Sequence, residues 1–347
     1  MKEQLAQNIH NLIKDYRNED GINITIENII DWADQFDDDS IFMLTELDHI
    51  LPQIYITKDK AKEYILQHIV WLTNKYGYKS INEFLSDTEF LGIQQDGKSQ
   101  LAILQLLEEV LNEKWQTSFH QFDTFPKKNF VYFDDVLATG STLGRQIVDW
   151  LSLPVGLQRN VDLILKDQYR LSINLFCLHS WGHSFQKYRL NKQFADALGR
   201  KISWMQNTTI QNHALFADQT YNHAFPIIGQ PINVQSYLAN LTADKYENYA
   251  YRSESMPKTE YFFSSKENRI RYENIILQKG LSIIAQIKGE IKPNIRPLGL
   301  INPTYKTFGL GTHFLTWRNI PNNCPLVYWW EVPGHDWKPL FPRKIIE

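Results

Sequence analysis

The chain is poor in cysteine. Its 347 residues contain two, Cys177 and Cys324, which excludes a disulfide-built scaffold and fits a reducing compartment. Long hydrophobic runs are missing too. No stretch approaches the roughly 18 apolar residues that a membrane-spanning helix needs. The opening Met1-Lys2-Glu3-Gln4-Leu5 lacks the basic start and apolar stretch of a secretory signal. The expectation is a soluble cytoplasmic protein with no membrane partner. Neither sign of charge is in excess: 36 Lys plus Arg against 39 Asp plus Glu leave a net charge of -3. A dedicated nucleic-acid binder is normally basic, so any such role must rest on a local patch. No internal repeat, low-complexity tract or Gly/Ser/Pro linker interrupts the chain. The 43% hydrophobic and 22% charged residues are ordinary globular usage. The length allows two domains, or one core with a large appendage.

What is present falls into three stretches. Residues 1–84 read as helical. Leu5, Ile9, Leu12 and Ile13 recur at helical spacing, as do Ile26, Ile29, Ile30 and Ala33, and then Ala61, Ile65, Ile69 and Leu72 between Lys58 and Lys75. Asp37-Asp38-Asp39-Ser40 lies between two such patterns and reads as N-cap residues for the next helix. Residues 85–190 change texture. The apolar run Phe90-Leu91-Gly92-Ile93 leads to a polar loop and a helix with Leu101, Leu104, Leu107 and Leu111. Phe130-Val131-Tyr132-Phe133 reads as a buried strand ending in Asp134-Asp135, followed by a helix with Leu143, Ile147 and Leu151; Ile173 to Leu178 reads as another strand. Successive strand–loop–helix units predict a parallel sheet with helices on its faces, and ligands bind such sheets beyond the carboxyl ends of the strands. Residues 191–347 form a mixed extension. It has a helix near Lys266–Ile287, which Gly280 could divide. It ends among Trp317, Trp329, Trp330 and Trp337, which read as a second packed core.

The segment that carries chemistry is Val131 to Leu143. An apolar strand brings two adjacent carboxylates, Asp134 and Asp135, to a short loop, Ala138-Thr139-Gly140-Ser141-Thr142, that opens a helix. Backbone N–H groups at a helix start, with a Gly allowing close approach, suit a phosphate. Carboxylates repel a phosphate, but they suit sugar hydroxyls or Mg²⁺. The two features together ask for a sugar phosphate.

This segment resembles the PRPP-binding motif of the type I phosphoribosyltransferases: apolar residues, two acidic residues, then a loop ending in Thr/Ala-Gly-x-Thr/Ser. The form Asp-Asp-Val-Leu-Ala-Thr-Gly-Ser-Thr looks most like the adenine and uracil members. The hypoxanthine-guanine members carry an Asp implicated as general base where this chain has Ala138. Upstream, Phe90 to Ser99 takes the place of the family's pyrophosphate loop. The resemblance covers about residues 85–190. Around it, the patterns Asn319 to Leu326 and Trp337 to Arg343 look like a bacterial family of phosphoribosyltransferase-like proteins in phage-defence loci, retrons included.

The resemblance implies an α/β fold of type I phosphoribosyltransferase kind, with a helical region before it and a partner-binding hood after it. It implies that Asp134 and Asp135 bind the ribose hydroxyls and help place Mg²⁺, directly or through water. Ala138, Thr139, Gly140, Ser141 and Thr142 would hold the 5′-phosphate, and Asp96, Gly97, Lys98 and Ser99 the pyrophosphate. His179, Trp181 and His183, after the later strand, would lie on the acceptor side. The ligand would be PRPP or a nucleotide, the reaction glycosyl transfer or cleavage at C1′. The partner would be a reverse transcriptase with its RNA–DNA or another defence protein, and self-association is compatible with the pattern. A non-catalytic PRPP or nucleotide sensor, or an assembly platform, fits the same residues.

A rival stays open. Gly92 to Ser99 satisfies the P-loop pattern G-x-x-x-x-G-K-[ST], with Asp134-Asp135 as the acidic strand end of a nucleotide triphosphatase. Its loop residues Ile93, Gln94, Gln95 and Asp96 are bulky for that role, and it leaves Ala138 to Thr142 unused. His179 and His183 stand four apart, as two ligands of a metal site would, but no further ligands are spaced nearby. Arg269 and Arg271 read as a solvated helix face, and Cys177 as inert core.

Overall fold

A computed structural model describes residues 1–94, 99–122, 127–212, 221–242, 250–331 and 336–343. The chain divides into two compact units. One is the continuous segment Asp59–Thr209; the other joins Met1–Lys58 to Ile210–Glu347. The N-terminal helices therefore part company near residue 58, and the family-like core shares its unit with the helix from Lys58 to Lys75.

The Asp59–Thr209 unit is built on the four strands Thr88–Phe90, Asn129–Leu137, Arg170–His179 and Ser203–Ile210, hydrogen-bonded in that order. The first three run parallel: Phe90 lies beside Val131, and Tyr132 beside Ile173. Alternation along the central strand sends Phe130 and Tyr132 to one face and Val131 and Phe133 to the other. Leu143, Ile147 and Leu151 of the Ser141–Ser152 helix cover the first face, with Leu190 of the Ser180–Gln193 helix. On the second face His68 stacks on Phe133 at 5.7 Å and Tyr64 tilts against Phe176 at 5.8 Å, both from the Lys58–Lys75 helix. Gln100, in the Ser99–Trp115 helix, donates to the Phe133 carbonyl at 3.3 Å. The expected α/β parallel sheet with flanking helices is present.

Two boundaries differ from the sequence reading. The central strand does not stop at Asp135, because Val136 and Leu137 still pair with Cys177 and Leu178. The Ser203–Ile210 strand was not anticipated; its Trp204, Thr208, Thr209 and Ile210 are strand formers hidden among polar neighbours.

The other unit packs the helices Lys2–Ile13, Ile26–Asp34, Ser40–Ile54 and Lys266–Ala285 around an apolar core. Thr25 and Asn28 close a capping box at the start of the second helix. Trp329, Trp330 and Trp337 belong to this core or pack against it. Trp32 and Trp337 both donate to the Val327 carbonyl, at 2.8 and 3.0 Å, and Trp32 stacks on Tyr328 at 5.7 Å.

Three readings of this region are corrected. The Lys266–Ala285 helix is continuous through Gly280. A side chain there would bring Cβ to 2.7 Å from the Pro297 carbonyl oxygen, so the glycine serves close approach and not a break. Asp39 occupies the N-cap position without capping through its side chain. It accepts from Arg271 instead, and Lys279 pairs with Asp37 at 2.8 Å. Most of all, Arg269 is no solvated residue. It is 1% exposed, lies over Phe263 at 4.6 Å, and donates to Glu260, Glu273 and the carbonyls of Tyr221 and His223. Arg252 completes the group at 2.9 Å from Glu273, whose carboxyl burial pushes up in spite of both guanidiniums.

Replacing one member of a buried ion cluster strands its partners in low dielectric. Arg269→Met should lower unfolding stability by about 3–5 kcal/mol, read as a fall in the urea midpoint. A midpoint equal to wild type would show that the cluster does not hold this unit.

Candidate functional site

The central strand carries two carboxylates into the interior: Asp134 and Asp135 are 7% and 5% exposed. Buried charge needs donors, and the fold supplies them. On Asp134, Oδ2 accepts from Gln94 Nε2 at 2.6 Å and Tyr132 OH at 3.0 Å, and Oδ1 from Ser99 Oγ at 2.7 Å and the Asp135 N–H at 2.9 Å. Ser99 Oγ also stands 3.2 Å from Asp135 Oδ1, which takes the Val136 N–H at 2.7 Å. One hydroxyl thus lies between oxygens of both carboxylates. Tyr132 is held in turn by Gln94, donating at 2.8 Å, and reaches Gln146 at 3.2 Å. Burial and the Asp134 charge push the phenol's pKa far up, so it stays a donor. Gln100 steadies the end of the first strand's loop by accepting the N–H groups of Ile93 and Gln94, both at 2.9 Å.

After Leu137 the chain turns through Ala138, Thr139 and Gly140 and enters the helix at Ser141. Gly140 adopts φ 72°, ψ 11°, a left-handed conformation that glycine takes without strain. The first intrahelical bond runs from Gly144 N–H to Gly140 O at 2.7 Å. The N–H groups of Ser141, Thr142 and Leu143 therefore have no acceptor within the helix. The Ser141 and Thr142 side chains are exposed, and Thr139 Oγ1 lies 3.3 Å from Ser141 Oγ. The result is a concentration of backbone donors with positive dipole, a few residues from the carboxylate pair.

The later strand ends at His179, and the next helix begins at once. Gly182 lies against the loop so closely that a Cβ would fall 2.0 Å from the Ala138 carbonyl oxygen. The junction of His179, Trp181 and His183 is thereby brought beside the loop Ala138 to Thr142. His179 is fully buried and its pKa is lowered to about 3; His183, set edge-on to Trp204 at 4.7 Å, is lowered to about 4, both by burial. Both imidazoles are neutral at pH 7. Trp181 is half-buried.

A protein-family model described as PRTase-CE matches residues 29–343. The chain belongs to the PRTase-CE family. No curated protein and no solved structure matches it. The family match takes in residues of both units, well beyond the 85–190 stretch where the motif sits.

In this PRTase-CE chain the structure brings together Asp134, Asp135 and Ser99, and sets the loop Ala138 to Thr142 directly after the acidic pair. Asp96, Gly97 and Lys98 lie outside the described residues. Ser99 is the exception within that stretch: it opens a helix and bonds to the carboxylates. Gln94 falls within the Phe90 to Ser99 stretch, whereas Gln100, Tyr132, Gln146 and Gln186 are not among the sequence-predicted site residues. Tyr132 alone left a signal, two residues before Asp134 and so on the same strand face. The amides left none, since their partners are distant in sequence. Among the described residues no group of three or more His, Cys, Asp or Glu side chains could hold a metal. No described helix is long and apolar enough to cross a membrane.

Gly182→Ala should drive the strand–helix junction off the Ala138 carbonyl and cost roughly 1–3 kcal/mol in thermal unfolding. Tyr132→Phe leaves Asp134 a donor short and should cost about 1–3 kcal/mol. Variants that melt with wild type would show that neither contact shapes the site.

Proposed function

We propose that this chain binds PRPP, or a related ribose phosphate or nucleotide, and acts at C1′ of the ribose. The observation that carries the reading is the juxtaposition, on one strand–loop–helix, of the buried Asp134–Asp135 pair and the free N–H groups of the Gly140 loop. The loop takes the 5′-phosphate. The carboxylates accept from ribose hydroxyls, which can replace Ser99 and Gln94 as donors without changing the charge of the pair.

The donor set is oxygen only, and two carboxylates converge on one hydroxyl. That suits Mg²⁺, which is bound through one or two carboxylates plus substrate phosphates. Asp134 and Asp135 would hold it, directly or through water, and its charge would offset that of the departing pyrophosphate. In transfer, the C1′–O bond breaks and its electron pair leaves with pyrophosphate. The acceptor nitrogen, or water in cleavage, donates a pair to C1′ and gives up a proton. Holding the ribose between loop and carboxylates supplies orientation. Ala138 has no group to take that proton, and His179 and His183 are weak bases at their lowered pKa values.

A non-catalytic sensor is the second reading. What favours it is that both oxygens of Asp134 already carry two protein donors each. We place either form in a bacterial antiphage system, working with a partner protein or a reverse transcriptase complex; the support is the resemblance in the C-terminal patterns.

The test is calorimetric titration with PRPP and, separately, ATP, each with Mg²⁺, on wild type and the Asp134→Asn/Asp135→Asn double variant. PRPP should bind wild type, and the double variant should bind at least tenfold more weakly, about 1.4 kcal/mol. ATP binding without PRPP binding, and undiminished in the double variant, would overturn the reading in favour of a P-loop enzyme. Pyrophosphate release in the presence of bases and nucleosides then separates enzyme from sensor. Loss of phage protection in cells carrying the double variant would connect the site to defence.

A further inference from the structure

Gln186 is a buried side chain from outside the loop that bonds to the Gly140 turn. It is 1% exposed and lies on the Ser180–Gln193 helix, four residues after Gly182, on the same helix face. Its Nε2 donates to the Thr139 carbonyl at 3.3 Å. Its amide fills the space beside Gly140 of the loop and Gly144 in the first turn of the helix. A Cβ on Gly140 would meet Nε2 at 2.7 Å, and one on Gly144 would meet Oε1 at 2.1 Å. Oε1 has no hydrogen-bond partner among the described residues. Burying an amide with one acceptor empty is costly, so core packing alone is a poor account of a glutamine here.

Peptide geometry says what the contact does. The Thr139 C=O and the Gly140 N–H belong to one planar trans peptide and point in opposite directions. Fixing the carbonyl on Gln186 turns the Gly140 N–H the other way, away from Gln186. Gly140 can rotate freely enough to lose that orientation; Gln186 removes the alternative. We infer that Gln186 is a positioning residue, which sets the Thr139–Gly140 peptide so that the Gly140 N–H joins those of Ser141 and Thr142 on a bound phosphate. This rests on the ribose-phosphate reading of the loop.

The probe is ribose 5-phosphate, titrated into wild type, Gln186→Met and Gln186→Glu. Met keeps the volume and loses the donor, and should weaken binding about tenfold, the 1.4 kcal/mol of one net hydrogen bond. Glu cannot donate to Thr139 while ionised but can when protonated. Its affinity relative to wild type, compared at each pH, should recover as pH falls from 7.5 towards 5, a trend that a packing defect would not produce. On wild type itself, the Gly140 N–H resonance should move downfield at saturation, which keeps the question answerable if either variant fails to fold. Wild-type affinity in folded Gln186→Met, or an unmoved Gly140 resonance, overturns the role of Gln186 alone. No binding of ribose 5-phosphate or PRPP by wild type overturns the ribose-phosphate reading beneath it.

Discussion

Two adjacent carboxylates on the middle strand of a parallel sheet set the terms for everything around them. Strand alternation sends Asp134 towards the face of Tyr132 and Asp135 towards that of Phe133, where water is scarce. The surrounding chain is arranged to answer that charge. Gln94 and Ser99 come from the two ends of one loop, Tyr132 from the strand itself, and backbone N–H groups from the next two residues. Protein donors hold the carboxylates, and a hydroxyl ligand or a cation would have to compete with those donors for the same oxygens.

The loop that follows solves the opposite problem. It gathers donors with no acceptor, and it does so by a left-handed Gly140 and a helix whose first turn is open. Separating the carboxylates from the open backbone donors by only a few residues gives this strand end polarity along the strand direction. A sugar phosphate has the matching polarity, hydroxyls at one end and phosphate at the other. The neighbouring helix, through Gly182 and Gln186, holds this geometry from behind.

The sheet, its flanking helices and the Asp134 to Thr142 motif were legible because each is local. Strand and helix periodicities are written in consecutive residues, and so is the strand–loop–helix order. The failures share a cause as well. Arg269 looked like an exposed helix residue because its partners, apart from Glu273 one turn on, are Glu260 and the carbonyls of Tyr221 and His223, all outside the helix. Gly280 looked like a break because propensity weighs glycine as a defect, whereas Pro297 needs the space. The extent of the central strand depended on its partner's register at Cys177 and Leu178. Gln186 reads as a polar surface residue until its helix is laid against the loop.

The order of the units along the chain has a consequence for biogenesis. Asp59–Thr209 is one uninterrupted segment, whereas the other unit needs Met1–Lys58 together with Ile210–Glu347. On the ribosome the sheet-bearing segment can complete its fold as soon as it emerges, since domains fold as units during synthesis. The first helices cannot. Ile29, Trp32 and Leu47 keep their apolar faces uncovered until Leu326, Tyr328 and Phe341 have been made. A truncation late in the chain would therefore strand the earliest helices while leaving the sheet intact, and such products would be recognised by chaperones through their amino-terminal ends.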